Sequence, residues 1–402
     1  MKRLRKAKEK VIEFFFSLSG AITTLVTLLI TLFLFSEGWA LFRAPVVEEG
    51  YALYVHTDNR INALSVAQIK QIFDGEVTNW KQLGGEEGEI TLFRIDDIFA
   101  LYEEEEFGEE YFLLPQKLEE VIASSPNILA FLPKKYMHDK SNYFYEVATG
   151  TISLKDFFAS TAWMPTATPA PLYGALPLVL GTLLVSFIAI LLALPLGLGV
   201  AIYLSELASL RVRKILKPAI ELLAGIPSVV YGFWGLVVLV PWVQRLFDLP
   251  VGETAFTGSV LLAIMALPTV ISVAQDALSN TPLAVREASL ALGATSWQTI
   301  YKVVIPYAKS GLSAAVVLGI GRAVGETMAV LMVTGNAAVM PTSLFESVRT
   351  IPATIVAELG EVPMGSTHYQ ALFLLGSILF LFTLIISISA EVIARRQHRG
   401  VL

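Results

Sequence analysis

Six apolar runs set the rhythm of the chain: Val11–Phe35, Leu172–Leu204, Ala219–Val243, Thr257–Gln275, Gly311–Thr334 and Tyr369–Ile393. Each meets the length a membrane-crossing helix needs, roughly 20 residues. The second run is longer than a bilayer requires and is expected to tilt or bend at Pro195. Between the fourth and fifth runs lies Thr281–Tyr307, TPLAVREASLALGATSWQTIYKVVIPY, where the apolar positions fall at helical spacing instead. The pattern predicts a helix over Leu283–Leu292, with Thr281 as cap and Pro282 in the first helical position. Arg286 and Glu287 would face water, while Val285, Ala288 and Leu292 would face inward. Gly293 supplies a permissive backbone that ends this helix, and a second amphipathic helix is expected over Ser296–Val304. Pro306 marks the turn toward the next apolar run. Two short helices bent around a glycine suit docking. The segment holds no nucleophile, histidine or acid pair from which a catalytic centre could be built.

The first and second apolar runs are separated by a long polar interval, Pro45 to about Pro169. In it Ser65-x-x-Gln68 reads as a capping box opening a helix that Gly75 stops, and Ser153-x-x-Asp156 opens another. Ile90–Ile95 and Ile128–Leu132 are short apolar runs suited to buried strands. Pro165–Pro171 is a stiff linker back to the membrane. At about 120 residues the interval can bury a core of its own. The expected architecture is a mainly α, polytopic membrane protein with six transmembrane helices and a small α/β insert between the first two. Its divisions are 1–44 (basic tail and first helix), 45–170 (insert) and 171–402 (five-helix core).

Composition agrees: of 402 residues, 54% are hydrophobic and only 16% charged, against about a quarter charged in soluble domains. With no cysteine, disulfides and thiolate metal sites are excluded. The net charge of −6 conceals an asymmetry. Val47–Ser160 carries about twenty acidic residues against about nine basic ones, while both termini are basic. If six helices cross in turn, the N-terminal tail, the Arg211, Arg213, Lys214, Lys217 loop, the Arg286, Lys302, Lys309 segment and the Arg395, Arg396, Arg399 tail share one side. By the positive-inside rule that side is cytoplasmic, which leaves residues 45–170 outside the cytoplasmic (inner) membrane. The first run is expected to be an uncleaved helix, because no small-residue cleavage pattern precedes Glu37.

Candidate chemistry is sparse. Arg322 and Glu326 lie four apart within the fifth run, a spacing that allows them to pair. An ionisable residue at mid-membrane costs about 2.5–3.5 kcal/mol on insertion scales, so such residues usually face a bundle interior or a water-filled path. A structural ion pair near a helix end is the plainer alternative. Gly225-Ile-Pro-Ser-Val-Val-Tyr-Gly232 breaks the third run near its start. Ser228 and Tyr231 could line a cavity there, or the small residues could simply permit close helix contact. His56, His138, His368 and His398 are scattered, which argues against a metal site. No cofactor and no nucleic-acid partner is expected.

The segment EASLALGATSWQTIYKVVIP resembles the EAA loop of ABC-importer permeases, with Glu287, Ala288, Gly293, Val303, Ile305 and Pro306 at the family's spacing and Ser289 replacing its second alanine. LLAGIPSVVYGFWG (222–235) and GRAVGETMAVLMVTGN (321–336) resemble the PstC-type permeases of bacterial phosphate uptake. The resemblance implies the type I importer permease fold, in contact with membrane lipid. It also implies a PstA-type sister permease, two cytoplasmic PstB-type ATPase subunits and an external PstS-type phosphate-binding protein. Arg286, Glu287, Ala288, Gly293 and Pro306 would then belong to the ATPase-coupling surface. Arg322 would offer transient charge to a passing phosphate, and Glu326 would keep it from binding too tightly. The chain has no G-x-x-x-x-G-K-[ST], so it is not expected to be an enzyme and hydrolysis falls to a partner. A permease for another oxyanion, or a membrane sensor reading an external ligand through the insert, are the alternatives.

Within the insert, LSVAQIKQIFDGEVTNWKQLGG (64–85) and SPNILAFLPKKYM (125–137) resemble parts of the periplasmic phosphate-binding protein. That family follows its Arg-x-Asp with small residues whose backbone N–H groups and hydroxyls close around the anion. Here Arg94 and Asp96 are followed by Asp97, Ile98, Phe99 and Ala100, with the Glu103–Glu106 run close behind. The resemblance implies a binding-protein fragment that has lost its ligand site and serves in docking.

Overall fold

Apolar helices too long for a water-soluble core dominate one of two compact units in the computed structural model, the unit made of residues up to Gly38, Leu176–Val362 and residues from Leu372 onward. Residues 2–48, 50–137 and 141–398 are described; His138 and Arg399 lie outside them. Among the described residues five helices are long and apolar enough to cross a membrane: Glu13–Arg43, Leu176–Leu207, Ser228–Leu246, Ala255–Ser279 and Thr367–Ser389. A sixth crossing results if the pair Ser296–Tyr307 and Lys309–Gly325, bent by 72°, counts as one span. The mainly helical, polytopic architecture expected from the apolar runs is therefore present.

Three runs are divided differently from the expectation. The second helix begins at Leu176 because Leu172–Tyr173 is a short strand, and it stays helical through Pro195 before a π-turn at Tyr203–Leu207. The third run does not start at Ala219. Leu210–Ala224 is a separate helix carrying Arg211, Arg213, Lys214 and Lys217, and Gly225 to Pro227 separates it from the span. Pro227 explains the break, since proline disfavours helical backbone in the residue before it. The fifth run stops at Gly325. Glu326 is extended (φ −70°, ψ 134°), and a short helix, Met328–Val333, follows. A helix not expected from the pattern, Ile351–Glu358, precedes the last span.

Small residues let these helices approach closely, as membrane interiors favour. Val185, Ala189 and Ala193 of the second helix pack on Ala255, Leu262, Ala263 and Ala266 of the fourth. A side chain at Gly197 or Gly319 would meet Val270 at 2.8 Å. The first and last helices join through Phe33 and Phe373, whose ring centroids lie 5.5 Å apart, edge to face.

The other unit comprises Trp39–Ala175 and Pro363–Ala371. Its four-stranded sheet has the order Thr91–Arg94, Ile128–Pro133, Tyr51–His56, Phe144–Glu146, with only the first pair parallel. Helix Leu114–Ser124 contributes Leu114, Leu118, Val121 and Ile122 to a core shared with Phe93, Ile98, Phe107 and Phe144. Both anticipated capping boxes are present. Ser65 Oγ accepts from Gln68 N at 3.4 Å while Ser65 N donates to Gln68 Oε1 at 2.9 Å, and Ser153 with Asp156 repeats the arrangement.

Candidate functional site

Two places carry the residues singled out above. The first is the segment 281–307, and its backbone follows the predicted bend. Leu283–Ala291 is helical, Gly293 is left-handed at φ +84°, and Ser296 opens the second helix under a Thr295–Gln298 capping box. Ser289 Oγ and Thr299 Oγ1, 2.9 Å apart, tie the two short helices together. A π-turn, Ile300–Val304, leads to Ile305–Tyr307, where Pro306 lies just before the 72° bend at Ala308.

The side chains depart from the sequence expectation in three respects. Thr281 does not cap: its Oγ1 is buried with no hydrogen-bond partner, and Pro282 takes the cap position without a side-chain bond. Arg286 does not stay in water. Its Nη2 lies 3.0 Å from Glu206 Oε1 and donates to the Leu278 carbonyl at 2.8 Å. Ala288 and Leu292 face outward, Leu292 at 89% exposure, as does Glu287. Leu283, Leu290, Trp297 and Tyr301 are exposed as well, so the bend presents an apolar surface around one carboxylate. Glu287 thus faces outward and Val285 is half-buried as the periodicity predicts, whereas Arg286, Ala288 and Leu292 are placed contrary to it.

The second place is the paired break in the third and fifth runs. Tyr231, buried in the third span, donates its hydroxyl hydrogen to the Leu223 carbonyl at 2.9 Å and so bridges the Gly225–Pro227 interruption. Ser228 is half-buried in the first turn of that span. Across from it, Met328–Val333 packs so closely that a side chain at Gly232 would meet Met332 Sδ at 2.7 Å and Ala329 Cα at 3.0 Å. Gly235 is equally tight against Leu261 and Val333. Close packing thus accounts for these two glycines, while Tyr231 and Ser228 sit at the break itself.

Arg322 and Glu326 do not form the ion pair that their spacing allows. Helical geometry ends at Gly325, which removes the four-residue spacing on which the pairing rested. Arg322 is half-buried, and its Nε is buried without a hydrogen-bond partner. Glu326 is left on the extended link to the next short helix.

Arg322 thus lies in the helix that ends at Gly325, and the exposed apolar bend precedes that helix in the chain. Residues 193–399, just over half of the chain, match the family described as binding-protein-dependent transport system inner membrane component. The chain belongs to that family. This permease also matches a PBP superfamily domain over residues 33–97. It is 44% identical over 239 residues to a probable ABC transporter permease protein, YqgH, of Bacillus subtilis (58% of this chain, 77% of the relative). It is 40% identical over 263 residues to the phosphate transport system permease protein PstC of Mesorhizobium japonicum (60% and 79%). The PstC of Pasteurella multocida is 41% identical over 247 residues (56% and 77%).

Glu206 was missed by sequence reasoning, as was its bond to Arg286. A single glutamate near the end of an apolar run carries no pattern that names its partner. In the insert, Asp97 Oδ2 accepts from the Arg94 backbone N–H at 2.6 Å, and the Arg94 guanidinium lies over the Phe73 ring, 5.5 Å from its centroid. The chain's own carboxylate thus occupies the backbone donor at this helix start, and the arginine is engaged with an aromatic face.

Proposed function

We propose that this chain is the permease subunit of an ATP-binding-cassette importer that moves inorganic phosphate across the cytoplasmic membrane. The observation that carries the reading is the 40% identity over 263 residues to a phosphate transport system permease protein. Phosphate would approach from outside, meet Arg322 between the two broken helices and leave inward. Tyr231 and Ser228 would wall that path, with Glu326 weakening the hold of Arg322 on the anion. The termini and the 281–307 bend face the cytoplasm, in keeping with the basic residues on those segments. There the exposed face around Glu287, Ala288, Gly293 and Pro306 docks on an ATPase subunit, with Arg286 holding the bend from behind. The other half of the pore is a PstA-type sister permease, two PstB-type ATPases supply the energy, and a PstS-type protein delivers the substrate. The insert, 45–170, serves as an outer docking domain and binds no phosphate.

The test is uptake of labelled phosphate by the complete complex in liposomes, with sulfate as competitor. Wild type should import phosphate in an ATP-dependent manner, and sulfate in tenfold excess should not compete. Arg322→Gln should lower the rate by about tenfold or more, the equivalent of about 1.4 kcal/mol in the barrier. Sulfate import at the phosphate rate would transfer the reading to oxyanions in general. Unchanged phosphate uptake in Arg322→Gln would remove Arg322 from the path.

A further inference from the structure

The coupling bend continues covalently into the fourth and fifth spans, through Thr281 and Ala308. The second span is not its neighbour in the chain, yet it is the span to which the bend is ionically bound. Among the described residues, Arg286–Glu206 is the ion pair that leaves segment 281–307. Both side chains are largely withdrawn from solvent, Glu206 at 9% and Arg286 at 21% exposure. Glu206 lies in the π-turn Tyr203–Leu207 that ends the second helix. Such a turn holds one extra residue, re-aims the side chains beyond it and marks functional positions in many helices.

The surroundings of this pair form a polar hub. Ser205 Oγ donates to Glu206 Oε1 at 2.7 Å and lies 3.3 Å from Ser279 Oγ on the fourth span. Arg213, on the separate helix Leu210–Ala224, donates from Nη2 to the Ser205 carbonyl at 2.6 Å. Two guanidinium groups therefore converge on one carboxylate and the backbone beside it. Arg213 Nε, Arg286 Nε and Thr281 Oγ1 are all buried there without a hydrogen-bond partner. A buried donor left unpaired costs free energy that a different arrangement of the same groups would recover. A hub with three such atoms is suited to exchanging partners between conformations.

We infer that Glu206 is the positioning residue through which the coupling bend moves the second span. Successive residues on a helix point about 100° apart. Glu287 therefore meets the partner on the exposed side while its neighbour Arg286 grips Glu206 on the other. The Gly293 elbow and the Ser289–Thr299 bond make the bend rigid enough for displacement at one end to appear at the other. When the ATPases carry the bend, Arg286 draws the π-turn with it, and the unpaired donors of the hub accept new partners as the spans shift. This inference rests on the transport reading above.

The experiment is a double-mutant cycle in the complete reconstituted complex: wild type, Glu206→Gln, Arg286→Gln and both together. Phosphate imported and ATP hydrolysed are measured in the same vesicles, with assembled complex quantified by co-purification. Glutamine is close in shape to glutamate and keeps an acceptor for Ser205. Each single variant should lower the phosphate-to-ATP ratio by about tenfold, within the roughly 5–150-fold range of coupling free energies. The double variant should be no worse than the poorer single, as members of one interaction behave. A residue that merely stabilised the fold would reduce assembled complex and both rates together, leaving the ratio at the wild-type value. That outcome, or single-variant effects that multiply in the double, would overturn the inference while the transport reading stood. A wild-type complex that imported no phosphate would overturn both.

Discussion

Replacing Gly181 by alanine tests whether the loop that precedes the helix Ile351–Glu358 is seated directly on the second span. A β-carbon at Gly181 would lie 2.4 Å from the carbonyl oxygen of Arg349, about 1 Å short of ordinary contact. The oxygen has little room to retreat. Arg349 donates from Nε to the Asn336 carbonyl at 2.9 Å and from Nη1 to Glu358 Oε1 at 2.7 Å, while Ile351 N donates to Thr182 Oγ1 at 2.9 Å. Overpacking against a fixed backbone costs about 1–3 kcal/mol. Losing the Thr182 bond adds about 1 kcal/mol, and alanine returns about 0.8–1 kcal/mol of helix propensity. The net expectation is destabilisation of about 1–3 kcal/mol. Gly199, in the same helix with open space around it, is the control. Alanine there should be neutral or stabilising by up to about 1 kcal/mol. Unfolding of the purified protein in detergent, followed by helical circular dichroism, compares the two. A Gly181→Ala protein as stable as Gly199→Ala would refute the seating of the loop.

Three further expectations concern surfaces. Leu292→Glu on the exposed face of the coupling bend should change stability by less than about 0.5 kcal/mol. It should nonetheless weaken association with the ATPase by about tenfold or more, because a leucine that becomes buried contributes about 1.5–3 kcal/mol; wild-type co-purification of the variant would exclude this face as the docking surface. The insert, residues 45–170, should show no heat of phosphate binding in titration calorimetry, since Asp97 already holds the Arg94 N–H; tight binding would contradict that. The third concerns Glu346. Its carboxylate accepts from Thr342 Oγ1 at 2.8 Å and from the backbone N–H groups of Thr342 and Ser343, and these bonds hold it below the ordinary carboxylate range. A depressed carboxyl stabilises the folded loop above its unfolded value, and that contribution is lost as pH falls through the lower folded value. Hydrogen exchange at 342–346, corrected for intrinsic rate, should therefore rise at acidic pH. Thr342→Ala should move that rise toward ordinary carboxylate pH, and an unshifted profile would show the hydroxyl to be irrelevant.

The amino-acid sequence by itself determined the features that depend on length or on neighbours a few residues away. Apolar runs of about 20 residues are long enough to cross a membrane, and five helices of that kind are present among the described residues. The Ser65 and Ser153 capping boxes and the left-handed Gly293 are built from contacts within one turn, so they could be read directly. Tertiary structure decided what distant segments do to one another. The Arg322–Glu326 spacing predicted a pair only for an unbroken helix; the structure instead ends that helix at Gly325 and packs Met328–Val333 against Gly232 and Gly235. The amphipathic pattern of the 281–307 bend showed two sides, and it took the position of Glu206 on another span to turn Arg286 inward, while Leu292 is exposed. The Ser65 and Ser153 caps are closed within one turn, whereas the burial of a charge depends on where its partner folds, and Glu206 lies far from Arg286 in the chain.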